Sequence, residues 1–136
     1  MKRRDFITLT AAALVAPLGA KAAVFDYAPG LVKEALAKGD TVFLDFKASW
    51  CSTCARQERV INALKAADPA YGAAITFVNV DWDQYGRHEF TKSLNIPRRS
   101  TLVVLKGDAE LGRIVAGTGE AEIKALLDTA LAAAQA

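Results

Sequence analysis

The sequence predicts an α/β domain in which helices flank a mixed β-sheet. Apolar runs typical of buried strands alternate with segments whose apolar residues recur at helical spacing. Glycine, proline and aspartate separate these segments, and no internal repeat or low-complexity linker interrupts them. The composition agrees, because 52% of the 136 residues are hydrophobic and only 24% are charged, as in folded globular chains. The length suits a single domain.

The first 22 residues have the pattern of an export signal. Residues 2–4 are basic, a mostly apolar run follows, and residues 20–22 read Ala-Lys-Ala, a small-residue cleavage site. The run is shorter than the roughly 20 apolar residues of a bilayer span. Residues 3–7 also resemble the twin-arginine signal, which exports folded proteins. We expect cleavage near Ala22 and a periplasmic domain of residues 23–136; a membrane anchor or a buried helix is the alternative.

The charge of the expected domain argues against a nucleic-acid partner. Four of the 17 basic and one of the 15 acidic residues precede position 23, which leaves 13 and 14 and a net charge of −1. Such a domain lacks the positive surface that binds a phosphate backbone. Two cysteines cannot supply a disulfide-rich scaffold or a four-cysteine metal site. We therefore expect a monomer with one dithiol, without a cofactor or a bound metal.

Nine elements are predicted in the order β-α-β-α-β-α-β-β-α. The strands are expected at 24–27, 41–46, 75–80, 101–105 and 111–115, and the helices at 29–38, 51–67, 85–94 and 120–134. The second strand is apolar except for Asp45, which is typical of a central strand covered on both faces. Asp68 and Pro69 end the second helix. Gly107 and Asp108 form a hairpin turn, and the last helix has a core-facing apolar stripe.

Cys51 and Cys54 are the residues in this chain best suited to chemistry. Cys51 stands where a strand ends and a helix begins, and the unpaired N–H groups of the first helical turn stabilise a thiolate there. Cys54 lies one turn further on the same side, within reach of a disulfide. We expect Cys51 to attack a substrate disulfide and Cys54 to resolve the mixed disulfide. A structural disulfide is the alternative, but so short a loop stabilises a fold by only roughly 2 kcal/mol.

Asp45 is a carboxyl group within an apolar strand that leads to Cys51. Burial disfavours its charged form, so its pKa should be raised unless it has a partner. A raised pKa would allow it to exchange a proton with Cys54 during disulfide exchange. The alternative is an edge or bulge position that faces water, although the apolar neighbours of Asp45 leave no polar face.

Residues 42–54, which read VFLDFKASWCSTC, resemble the active-site stretch of the thioredoxin superfamily. In that family an apolar strand with a buried aspartate leads to Trp-Cys-x-x-Cys at a helix start. The resemblance extends over nearly the whole domain and implies a thioredoxin-like thiol–disulfide oxidoreductase. It implies that Cys51 is the nucleophile, Cys54 the resolving cysteine, Asp45 the buried proton acceptor and Trp50 the flanking aromatic residue.

The sequence departs from the family pattern at three positions. Lys47 replaces a tryptophan of cytosolic thioredoxins, which makes the chain more similar to thiol-reductase domains of periplasmic electron-relay proteins. Thr53 replaces the usual proline between the cysteines, so the direction of electron flow is open. Ser100 replaces the family's cis-proline, and Pro97 lies too early to substitute for it. A non-proline cis bond costs about 2.5–4 kcal/mol, so we predict a trans Arg99–Ser100 bond or a strained loop.

Trp50, Arg99, Ser100 and Thr101 are the candidate substrate-binding residues. The Ser100 hydroxyl is expected either to hydrogen-bond a thiolate or to cap the third buried strand. Arg98 and Arg99 either steer an acidic partner and lower the pKa of Cys51, or belong to a solvated loop.

The resemblance also implies the partners of this chain. The substrates would be oxidised exported proteins, and a membrane thiol relay would supply electrons. Two alternatives remain open. One is an oxidase that donates its disulfide, and the other is a copper-binding chaperone that uses Cys51, Cys54 and His88. For His88, an exposed position in the first turn of a helix is the simpler interpretation.

Overall fold

The computed structural model describes residues 23–136, and the predicted signal, residues 1–22, lies outside them. The described chain contains strands β1 (Val24–Asp26), β2 (Thr41–Lys47), β3 (Thr76–Asp81), β4 (Thr101–Lys106) and β5 (Ala109–Val115). Its helices are α1 (Leu31–Ala37), α2 (Ser52–Ala67), α3 (Pro69–Ala74), α4 (Trp82–Tyr85), α5 (Glu89–Ser93) and α6 (Glu120–Gln135). None of these helices is long and apolar enough to span a bilayer.

The strands form one sheet in the order β1-β3-β2-β4-β5. The pairs β1–β3 and β2–β3 are parallel, whereas β2–β4 and β4–β5 are antiparallel. The predicted mixed sheet with flanking helices is therefore confirmed. Strand β2 has a partner on each side, with Asp45 opposite Asn79 of β3 and Leu102 of β4. The dithiol helix thus follows the central strand.

Both faces of the sheet are covered, as the apolar sequence of β2 predicts. Side chains alternate along a strand, so Val42, Leu44 and Phe46 pack on the face covered by α1 and by the segment around α4 and α5. Phe43 packs on the opposite face, against α2, α3 and α6. Asp45 shares the parity of Phe43, and its side chain therefore meets α2.

The structure differs from the sequence analysis in the helices that follow α2. Asp68 ends α2 as predicted, but its carboxylate also accepts a hydrogen bond from the Ala70 N–H and begins α3, with Pro69 in the first turn. Proline at the first helical position begins a helix as readily as it ends the preceding one. The end of α2 is therefore confirmed, but α3 is absent from the nine predicted elements.

The single helix expected at 85–94 is also wrong, because two short helices occupy this region. Asp81 accepts a hydrogen bond from the Asp83 N–H and caps α4. The chain then leaves helical geometry, and Nδ1 of His88 accepts a hydrogen bond from the Phe90 N–H to cap α5. Each short helix therefore has its own N-cap, which a pattern of apolar spacing does not reveal.

Candidate active site

Cys51 and Cys54 lie at the N-terminus of α2, where the sequence places them. Cys51 is the N-cap in an extended conformation, and its Sγ accepts a hydrogen bond from the Cys54 N–H at 3.1 Å. The two residues form a disulfide, with 5.3 Å between their Cα atoms. Cys54 is 1% exposed and Cys51 is 4% exposed. The N–H that holds Sγ of Cys51 is one of the unpaired amides of the first turn, which stabilise an anion at this atom.

Trp50 forms an exposed ring beside the buried pair. Its side chain is 59% exposed, and its Nε1 donates to the carboxylate oxygens of Asp83 at 3.0 and 3.1 Å. The Arg99 guanidinium lies over the ring, 4.6 Å from its centroid. Trp82 packs against the dithiol itself. The roles of Trp50 and Arg99 in substrate binding stay predictions; the structure shows that the two side chains contact each other and that Trp50 directly precedes Cys51.

Ser100 directs its hydroxyl at both sulfurs. Its Oγ lies 3.2 Å from Sγ of Cys51 and 3.1 Å from Sγ of Cys54. Disulfide sulfurs carry no hydrogen, so the hydroxyl is the donor in this state. Thr101 bonds elsewhere, since its hydroxyl donates to the Arg98 carbonyl at 2.7 Å. Of the two expectations for Ser100, the contact with sulfur is the one that the structure contains.

The backbone at Ser100 is trans and left-handed. No peptide bond in residues 23–136 is cis, which confirms the predicted trans Arg99–Ser100 bond. Ser100 has φ = 66°, a conformation that costs a residue with a side chain roughly 1–2 kcal/mol. Both backbone polar groups are bonded, because the N–H donates to Phe46 O at 2.7 Å and the carbonyl accepts from the Ala116 N–H at 2.8 Å. These bonds hold the strained residue in place.

Gln57 is a further residue of the site that the sequence analysis missed. It is fully buried on α2, and its Nε2 donates to the carbonyls of Ser100 at 3.0 Å and Gly117 at 2.9 Å. The sequence does contain an indication that Gln57 is buried, because Gln57 stands three residues after Cys54 and four before Ile61, on the apolar stripe of the helix. A polar residue on such a stripe needs a buried partner.

Asp45 is buried on the α2 face of the sheet, which confirms the buried interpretation. Its side chain is 6% exposed, and Oδ1 has no hydrogen-bond partner within residues 23–136. Burial raises the pKa of the Asp45 carboxyl from 3.8 to about 7; Lys47 opposes this shift and Glu58 adds to it. Lys47 and Glu58 form an ion pair with 2.7 Å between Nζ and Oε1. Asp45 can therefore bind or release a proton near neutral pH.

A small cavity connects Asp45 with polar neighbours. It measures about 40 Å³, and its lining includes Asp45, Glu58 and Asn79. A cavity needs only about 10–15 Å³ to hold one water molecule, and its polar walls supply hydrogen-bond partners. The cavity therefore has room for a water molecule between Asp45 and Glu58, whose side chain is 45% exposed.

His88 is not brought to the cysteines as a third metal ligand. Residues 23–136 contain no group of three or more His, Cys, Asp or Glu side chains arranged to hold a metal ion. His88 is half-buried, caps α5 and packs edge-on against Tyr85, with 5.4 Å between ring centroids. Its place is therefore structural, and it lies at the N-cap and not in the exposed first turn that the sequence suggested.

The fold and the cysteine pair define a class of protein. A mixed five-stranded sheet places a Cys-x-x-Cys pair at the start of the helix that follows the central strand, which is the arrangement of a thiol–disulfide oxidoreductase. The thioredoxin family profile matches residues 27–129. The chain belongs to the thioredoxin family.

Individual relatives agree with this assignment. Putative thioredoxin-4 of Dictyostelium discoideum is 33% identical over 95 residues, which cover 69% of this chain and 84% of that protein. Thioredoxin H2-1 of Oryza sativa subsp. japonica is 30% identical over 88 residues, 65% of this chain and 59% of that protein. The crystal structure of Trxlp from Edwardsiella tarda EIB202 has a TM-score of 0.65 at 28% identity and covers 78% of this chain and 96% of its own.

Proposed function

We propose that this chain is an exported reductase of protein disulfides. The observation that carries the proposal is the pair of cysteines at the start of α2 together with Asp45 on the preceding strand. Asp45 is buried, and burial raises its pKa to about 7. A reductase needs a nucleophilic first sulfur and a group that takes the proton of the second. The signal-like residues 1–22 support export, and the thioredoxin names of its relatives support reduction.

The reaction proceeds in two exchanges at sulfur. The Cys51 thiolate attacks one sulfur of a substrate disulfide, a mixed disulfide forms, and the other substrate sulfur leaves as a thiolate. Asp45 then accepts the proton of Cys54, whose thiolate attacks Sγ of Cys51 and displaces the second substrate thiolate. The substrate gains two electrons, and the pair Cys51–Cys54 becomes the disulfide seen in the structure.

The proposed partners follow from this stoichiometry. Each turnover leaves the protein oxidised, and an exported domain then needs a thiol donor that receives electrons across the membrane. We propose a membrane thiol relay as the donor and oxidised exported proteins as the substrates. Trp50 and Arg99 beside the dithiol are the proposed contacts to the substrate chain, whereas Ser100 and Thr101, which the sequence also suggests as contacts, are fully buried in the structure. The protein would act as a monomer in the periplasm.

Insulin reduction by dithiothreitol tests the catalytic assignment. Cys51→Ser removes the nucleophile, so the rate with the variant should fall to the rate without enzyme. Ser93→Ala, which removes an exposed hydroxyl of α5, is the matched control and should retain the wild-type rate. Full activity of Cys51→Ser would exclude Cys51 as the nucleophile.

The second candidate is an oxidase that donates the disulfide, and the contact of Ser100 with both sulfurs favours it. A hydroxyl that stabilises a thiolate makes the disulfide easier to reduce, as an oxidase requires. Equilibration with glutathione separates the two candidates, because a thioredoxin-like reductant has a potential near about −270 mV and an oxidant lies well above about −200 mV.

Export is tested separately, by cell fractionation of the full chain with and without Arg3 and Arg4 of the twin-arginine-like signal.

A further inference from the structure

Within residues 23–136, the Ser100 hydroxyl is the one side-chain group outside the cysteines that lies within hydrogen-bond distance of both sulfurs. Its Oγ is 3.2 Å from Sγ of Cys51 and 3.1 Å from Sγ of Cys54, and Ser100 is fully buried. Its backbone N–H and carbonyl are bonded to Phe46, Ala116 and Gln57. The hydroxyl alone is therefore free to serve the dithiol.

We propose that Ser100 is a further catalytic residue, whose hydroxyl donates its hydrogen to whichever sulfur carries the negative charge. In the reduced protein the hydroxyl donates to the Cys51 thiolate and accepts from the thiol of Cys54. After the mixed disulfide forms, Sγ of Cys51 is neutral, and the proton of Cys54 passes to Asp45. The hydroxyl then turns its hydrogen to the Cys54 thiolate. Ser100 neither gains nor loses a proton in these steps.

The geometry at Ser100 makes this rotation possible. A serine hydroxyl has one hydrogen and rotates about a single bond, and its oxygen accepts on the other side. The two sulfurs are nearly equidistant from Oγ, so a change of donor direction requires no movement of the backbone. A hydrogen bond to a charged partner is roughly twice as strong as a neutral one, and the contact therefore favours the thiolate over the thiol and over the disulfide.

The left-handed backbone of Ser100 is part of the same arrangement. At φ = 66° the residue adopts a conformation that glycine would occupy without strain, yet the sequence has a side chain there. Gln57 lies on the helix that contains Cys54 and has Cys51 as its N-cap, and it bonds the Ser100 carbonyl, so the hydroxyl and the sulfurs are held on connected elements. Gln57 is a positioning residue in this scheme.

Titration of the reduced protein tests the proposal. Ser100→Ala removes the hydroxyl and keeps the Cβ, whereas Ser100→Gly removes both and relieves the left-handed strain. The pH dependence of Cys51 alkylation by iodoacetamide measures the pKa of the Cys51 thiol. In both variants this pKa should rise, with the acid dissociation constant about tenfold lower, because the thiolate loses a hydrogen bond. Ser93→Ala should titrate as the wild type. The charged groups around the site, Asp45, Lys47, Glu58 and Arg99, are the same in every variant.

The redox equilibrium provides the second measurement. Loss of the hydroxyl destabilises the reduced form, so the equilibrium with glutathione near pH 8 should shift about tenfold toward the disulfide, which corresponds to about 30 mV. The proposal is wrong if Ser100→Ala and Ser100→Gly leave both quantities unchanged, or if only the unfolding temperature moves.

This inference rests on the redox function proposed above, but the two fail differently. If Cys51 of the wild-type protein does not ionise near neutral pH, the proposed function itself is contradicted. If the wild type titrates and the two Ser100 variants titrate identically to it, only the role of Ser100 is contradicted.

Discussion

Asp45 and Ser100 are two buried polar side chains of one active site, but their surroundings differ. Asp45 lies in the middle of a regular strand, and one of its carboxylate oxygens has no partner within residues 23–136. Ser100 lies in a strained turn before β4, with its backbone fully bonded and its hydroxyl on two sulfurs. A group without partners is free to change its protonation state, whereas a group held in place is suited to direct a hydrogen bond.

The largest effect is expected from Asp45→Asn. Burial favours the neutral form of the Asp45 carboxyl in the folded protein. The stability that this neutral carboxyl allows is fully present below the unfolded-state pKa of 3.8 and is lost as the pH rises through the folded-state pKa of about 7. The variant does not ionise and should be more stable than the wild type near pH 8 by about 4 kcal/mol, with little change near pH 4. Urea unfolding of the disulfide form at both pH values measures this difference.

Asp108→Asn is the matched control for that measurement. Asp108 lies in the exposed turn between β4 and β5, where a substitution usually changes the free energy of unfolding by less than about 0.5 kcal/mol. Equal stabilisation at both pH values in Asp45→Asn would contradict the raised pKa, since titration would then not be the cause.

Ser100→Pro tests whether the turn depends on its trans, left-handed backbone. Proline has no N–H to donate to Phe46 O, and its ring fixes φ near −65° where the structure has 66°. We expect a loss of about 2–4 kcal/mol in the free energy of unfolding, measured by denaturant titration. Ser100→Ala keeps the N–H and should lose less than about 1 kcal/mol. Wild-type stability of the proline variant would mean that residues 96–100 adopt another backbone.

Gln57→Leu tests the link between the two environments. The variant keeps a similar volume but removes the Gln57 donor from the part-buried Gly117 carbonyl and from the Ser100 carbonyl, which keeps its bond from the Ala116 N–H. We expect a loss of about 1 kcal/mol in the free energy of unfolding. The rate of Cys51 alkylation at neutral pH should also fall, because the Ser100 hydroxyl is no longer fixed. The control Arg56→Leu, at an exposed position of α2, should change neither. A stable variant with normal alkylation would contradict the positioning role.

The two environments also differ in how far the sequence predicts them. Strand β2, helix α2, the N-cap position of Cys51 and the burial of Asp45 follow from short-range patterns: an apolar run, a helix start and a lone carboxyl group. Each depends on residues only a few positions apart, so local physical chemistry is sufficient. The trans bond at Ser100 also follows from local chemistry, because a cis bond before a residue other than proline is costly.

The contacts of Ser100 and Trp50 could not be predicted in this way. Gln57 bonds a carbonyl 43 positions away, and Trp50 bonds Asp83 across 33 positions. These pairings depend on how α2 packs over the end of the sheet, and no local pattern specifies that placement. In the sequence, Gln57 is recognisable only as a polar residue on an apolar stripe. Which carbonyls it bonds follows only from the three-dimensional structure.

The hydrogen bond from Gln57 to the Gly117 carbonyl connects the active site to a segment that is distant in sequence. It joins the dithiol helix to the segment after β5, across 60 positions of sequence. Ala116, which precedes that carbonyl, is itself left-handed and donates to Ser100. The segment after the last hairpin therefore helps to hold Ser100 beside the sulfurs, and we expect substitutions at Ala116 and Gly117 to change the reactivity of the dithiol without altering a cysteine.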